Sequence, residues 1–150
     1  KSLELGVAFQ PLGFSDSGSL EASVVFAGYG ITAPDLKYDD FAGIDVKDRV
    51  VLVLQGIPAG APTGAFLAPG SERFGQLRYK ALNAREHGAK AILFVDRQGG
   101  GELIPLPKGH VISSAGIISV HLQREAAERL LRRGLGRRSW PSFKKRSIRG

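Results

Sequence analysis

At 150 residues and 43% hydrophobic content the chain suits a single domain with one core, and none of its apolar runs approaches the roughly 18 residues of a membrane span. It contains no cysteine, which excludes thiolate zinc sites, disulfides and cysteine nucleophiles. The net charge of +7 is concentrated at one end: nine of the 21 basic residues follow Glu128 with no acid among them, leaving twelve basic against fourteen acidic residues in the body. There is no methionine either, so Lys1 reads as a cut end and the chain as an excised domain.

In chain order, the β-branched and aromatic residues from Val24 to Ile31 predict a strand. Alternation within it places Gly28 and Gly30 on one face and Tyr29 on the other, a device for close backbone approach before it is a ligand site. Pro34 and Asp35 open a turn-rich connector, and Val46 to Arg49 reads as a tight turn with Asp48 in the left-handed conformation. Val50 to Leu54 is a continuous apolar run of the buried-strand kind. The segment from Gly56 to Ser71, rich in Pro, Gly and Ala and without a period, predicts a long surface loop. Phe66 and Leu67 at its centre, with Arg73 just after it, form the candidate face for a partner or substrate, because exposed apolar side chains there need a cover.

Phe74, Leu77, Ala81 and Ala84 recur at helical spacing, and Gly88 supplies the left-handed residue that ends such a helix. Ala91 to Val95 then predicts a strand. A glycine turn at 99–101 leads on to a further strand at Gly116 to Val120. Leu122, Ala126 and Leu130 mark a second helix, with Glu125 and Glu128 early, Arg129, Arg132 and Arg133 late, and Gly134 closing it.

The residues offer little chemistry. His87 belongs to a helix end, His110 to a loop and His121 to a strand-like run, and no set of three ligands has metal spacing. His121 and Glu125 are four apart, but the helix begins after His121. No GxSxG, GxGxxG or GxxxxGK pattern is present, and Ser15, Ser17 and Ser19 have no histidine near them in sequence. Asp39 and Asp40 can act as an acid–base pair or bind calcium, yet adjacent carboxylates more often cap a turn. Trp140 and Phe143 in the basic tail are possible stacking residues for nucleic acid. Pro141 interrupts any basic helix there, so nucleic acid is not the expected partner.

Taken together, FQPLGFSDSG, VVFAGYGITAPDLKYDDFAGIDVKDRVVLV, RYKALNAREHGAKAILFVD and SVHLQREAAERLL resemble the protease-associated (PA) domain, of the type inserted in bacterial zinc aminopeptidases related to glutamate carboxypeptidase. The match runs from about Val7 to Leu131. It departs from the family at Ile118, where proline is usual, at Gln123, where serine would cap the helix, and at Asp48, where glycine forms the turn.

The resemblance implies a mixed α/β, β-rich fold: a swivelling β/β/α sandwich or open barrel with two flanking helices, over residues 1–135, followed by a basic tail or boundary segment at 136–150. It implies a non-catalytic module with no cofactor of its own, zinc residing in a separate peptidase domain. The implied partners are that domain and peptide substrates, with no membrane partner, in an exported protein. An independent interaction module, as in sorting receptors, is the alternative. Gly28, Tyr29, Gly30, Asp39, Asp40 and Gly88 are then structural-motif residues rather than catalytic ones.

Overall fold

The computed structural model describes residues 5–58, 66–67, 69–98, 102–108 and 112–135. Its strands are β1 (Phe9–Pro11), β2 (Val24–Phe26), β3 (Thr32–Ala33), β4 (Tyr38–Asp39), β5 (Val50–Leu54), β6 (Ala91–Val95) and β7 (Ile118–Leu122). Its helices are α1 (Leu77–Glu86) and α2 (Arg124–Leu135).

The main sheet has the order β1-β7-β6-β5-β2, and β2, β5, β6 and β7 run parallel. Only β1 is antiparallel, pairing Phe9 with Leu122 and Pro11 with Val120. The β3–β4 hairpin forms a separate two-stranded sheet. The fold is therefore mixed α/β around an open sheet, without a closed barrel.

Parallel strands covered on both faces are apolar at every position, because each face needs its own set of side chains. Val51, Val53, Ile92 and Phe94 point to one side, where they meet Ala81 and Ala84 of α1. Leu52, Leu54, Val95 and Leu122 point to the other and meet Ala126, Ala127 and Leu131 of α2. Each fully buried Val, Leu or Ile in these layers stabilises the fold by about 1.5–3 kcal/mol. Ser119, also buried within β7, stays satisfied: its hydroxyl donates to Ile117 O at 3.0 Å and its N–H donates to Ser15 Oγ at 2.8 Å.

Several expected boundaries move. The strand opening at Val24 stops at Phe26 instead of Ile31, because the glycines that follow turn the chain. The last strand is Ile118–Leu122 rather than Gly116–Val120, since Gly116 has a φ of 76°. Phe74 lies in a 3-10 turn, Ser71–Gly75, ahead of α1, and α2 runs through Gly134 to Leu135. The two left-handed residues Asp48 (φ 59°) and Gly88 (φ 92°) do form the expected turns, and Asp48 N donates to Gly88 O at 2.9 Å. Asp tolerates the left-handed region better than most residues, which is how it replaces a glycine there. The glycine turn at 99–101, His110, most of the Pro- and Gly-rich loop, and the 136–150 tail with Trp140 and Phe143 lie outside the described residues.

Candidate functional site

The AGYGI stretch is a tight turn rather than a strand. Gly30 N donates to Ala27 O at 2.8 Å, and Gly28 and Gly30 take φ values of 56° and 67°. They therefore do not share a strand face, and close packing is met differently at each. A side chain on Gly28 would fall on the Asp40 carboxylate, and one on Gly30 would lie 2.9 Å from Val53 Cγ1.

The two aspartates part ways. Asp39 caps its turn as expected, accepting Phe41 N and Thr32 Oγ1, each at 3.0 Å. Asp40 instead clasps the glycine turn: Oδ2 accepts the N–H groups of Tyr29 and Ile31 at 3.1 Å, and Oδ1 accepts the Tyr38 hydroxyl at 2.8 Å. Burial pushes the Asp40 carboxyl up, opposed by these three donors and by the charge of Lys80.

Lys80 has no exposed surface at all. Its ammonium donates to Leu54 O at 2.7 Å and to Gly56 O, and lies 5.5 Å from the Tyr29 ring centroid. Burial lowers its pKa to about 7, with Asp40 pulling the other way. The sequence reading missed this residue. The signal was its position, since Leu77, Lys80, Ala81 and Ala84 occupy one helical face on which the lysine is the only charge.

Beside this clasp lies an aromatic cluster. Phe66 packs edge-on against Tyr38 at 4.9 Å and Phe74 at 5.9 Å, and Phe74 against Tyr79 at 5.4 Å. Phe66 is only 5% exposed, so its cover comes from this domain and the expectation that it faces a partner is corrected. Leu67 beside it is 87% exposed.

Arg73, exposed, lies over the Phe74 ring at 4.4 Å and donates from one amino nitrogen to Gly70 O at 2.7 Å. It borders a cleft of about 400 Å³ between the β3–β4 hairpin and the 69–74 segment, lined also by Pro34, Asp35, Leu36, Pro69 and Tyr79. The Tyr79 hydroxyl donates to Thr32 O at 2.8 Å. Burial pushes that phenol up, while the nearby Arg73 charge opposes the shift.

The two described histidines, His87 and His121, serve the fold. His87 donates from Nδ1 to Asn83 O at 2.8 Å and stacks on Phe41 at 4.2 Å. In buried His121, Nδ1 accepts Ile104 N–H at 2.9 Å, so the neutral ring carries its proton on Nε2, 2.7 Å from the Gln55 amide. The neighbouring atom is Gln55 Nε2, itself a donor, so with the proton on His121 Nε2 the Gln55 amide must be turned to present its oxygen. Burial lowers the His121 pKa, against the pull of Asp96. Among the described residues no three His, Cys, Asp or Glu side chains converge to hold a metal ion, and no helix is long and apolar enough to cross a membrane.

A family model described as PA domain matches residues 17–130. No match to a curated protein is found. Among solved structures, the aminopeptidase from Aneurinibacillus sp. strain AM-1 is similar with a TM-score of 0.54 at 18% identity, over 83% of this chain and 24% of that one. BSAP, a zinc aminopeptidase from Bacillus subtilis, is similar with a TM-score of 0.50 at 23% identity, over 82% of this chain and 25% of that one. At these identities the likeness is one of fold, and this chain spans about a quarter of each enzyme's length.

Proposed function

Because the chain belongs to the PA domain family, we propose that it is the non-catalytic accessory module of a zinc-dependent aminopeptidase, shaping which peptides reach a separate peptidase domain. The observation that carries this reading is one of proportion. The likeness takes in more than four fifths of this chain but only 24% and 25% of the two aminopeptidases, which leaves room elsewhere in each for the peptidase chemistry. Among the described residues no ligand set converges that would hold zinc, which is in keeping with a metal held by a separate peptidase domain.

The surface available for the role is the exposed Leu67 together with the Arg73 cleft. Contacts to remote parts of a substrate help only substrates long enough to reach them. In the parent enzyme, Leu67→Asp should therefore change kcat/KM for a pentapeptide while leaving a dipeptide and a chromogenic amino-acid substrate nearly unchanged. Equal changes for all three, or none, would overturn the access role. A parent coding sequence without a zinc-peptidase ligand set would overturn the assignment itself.

A further inference from the structure

We propose that the cleft between the β3–β4 hairpin and the 69–74 segment is a subsite for the free C-terminal carboxylate of a short peptide ending in an apolar residue, with Arg73 as the carboxylate's partner. The guanidinium is held in place before any ligand arrives, by its stack on Phe74 and its hydrogen bond to Gly70 O. That bond uses one of five N–H donors, and no carboxylate among the described residues lies within ion-pair distance of Arg73. An oriented guanidinium with donors to spare is matched to a carboxylate, which it grips through two parallel bonds.

The rest of the cleft narrows the ligand. Pro34, Leu36 and Pro69 make apolar walls, and two of the three are prolines with fixed φ, so the walls are stiff. At about 400 Å³ the cleft is at the small end of the ~300–1,000 Å³ range of ligand sites, suited to a peptide end rather than a long segment. The Tyr79 hydroxyl has its proton committed to Thr32 O, and its lone pairs can accept a peptide N–H. Asp35 lines the same cleft and opposes a second negative group, which favours a monocarboxylate over a phosphate or dicarboxylate.

The choice of a peptide rests on the accessory-module reading: an enzyme that works at the amino end of its substrate leaves the carboxyl end for another part of the molecule to hold. The experiment measures binding alone. The 150-residue chain, labelled with ¹⁵N, is titrated with alanyl-alanyl-leucine, its C-terminal amide, and alanyl-glutamyl-leucinamide.

The free tripeptide should shift the amide signals of Leu36, Arg73, Phe74 and Tyr79. Amidation or Arg73→Gln should weaken binding about tenfold or more, and Arg73→Lys, which keeps the charge but loses the fork, by less. Signals away from the cleft report whether the variants remain folded. Equal binding of the amide, equal binding of the glutamyl amide, unchanged binding in both Arg73 variants, or no cleft shifts at all would each overturn the proposal. A parent that proved not to be a peptidase would overturn the accessory-module reading while leaving the binding result standing.

Discussion

The carboxylate of Asp40 occupies the space a side chain on Gly28 would need. Together with the left-handed backbone at both glycines, this sets a graded expectation. Gly28→Ala and Gly30→Ala should each destabilise the chain by about 2 kcal/mol or more, combining conformational strain with a steric clash. Gly43→Ala, also at positive φ but with open space around it, should cost only about 1 kcal/mol. Denaturant melts of the three variants check the order, and a Gly43 change as costly as the other two would remove the steric part of the account.

Asp39 and Asp40 are adjacent but unequal. Asp39→Ala removes a turn cap and should cost about 1 kcal/mol. Asp40→Ala leaves two backbone N–H groups and a tyrosine hydroxyl without their acceptor, and should cost about 3 kcal/mol. Chemical denaturation of both variants at neutral pH compares them directly.

Lys80 makes stability depend on pH in the alkaline direction. Its folded pKa of about 7 lies below the 10.5 of an unperturbed lysine, so between these values the unfolded chain binds the extra proton and stability rises with pH. The rise cannot exceed about 1.4 kcal/mol per pH unit from one group. Stability measured from pH 7 to 9.5 should climb in the wild type, and Lys80→Met should flatten the slope while lowering stability by orphaning Leu54 O and Gly56 O.

A second slope belongs to His121. Its pKa is lowered by burial, so the folded ring resists a proton that the unfolded ring takes up near the ordinary value of 6.5. The stability it contributes is complete above that value and is lost as pH falls below it. His121→Gln should remove this portion of the acid sensitivity, read from melts between pH 7 and 5.

Elemental analysis offers a separate check on the chemistry. After dialysis against micromolar zinc the chain should hold metal only at background, since the described residues bring no ligand set together. One tightly held zinc per chain would contradict the non-catalytic reading.

What was legible in the sequence was what depends on neighbours along the chain. The run at Val50–Leu54, the helix face of Leu77, Ala81 and Ala84, and the left-handed turn at Asp48 are local patterns, and each was found where it was expected. Phe66 was misread because its partners, Tyr38 and Phe74, come from other segments, and burial by distant residues leaves no period in a loop. Lys80 was passed over because a charged residue on a buried helix face goes against composition. Its acceptors, Leu54 O and Gly56 O, are backbone atoms about 25 residues away that no side-chain pattern announces. The Asp40 clasp needed the glycine turn to be known first, and a strand reading of Val24–Ile31 hid it.

The place of β7 between β1 and β6 also governs the order in which the chain can be completed. Residues 9–11 have no sheet partner until residues 120–122 exist, so the earliest-made strand of this sheet is among the last to pair. Until then β1 and the growing edge at β6 are both unpaired and open to a second nascent chain. Contacts of such wide separation slow folding, and the domain is most vulnerable to aggregation in the interval between the synthesis of β6 and the arrival of β7.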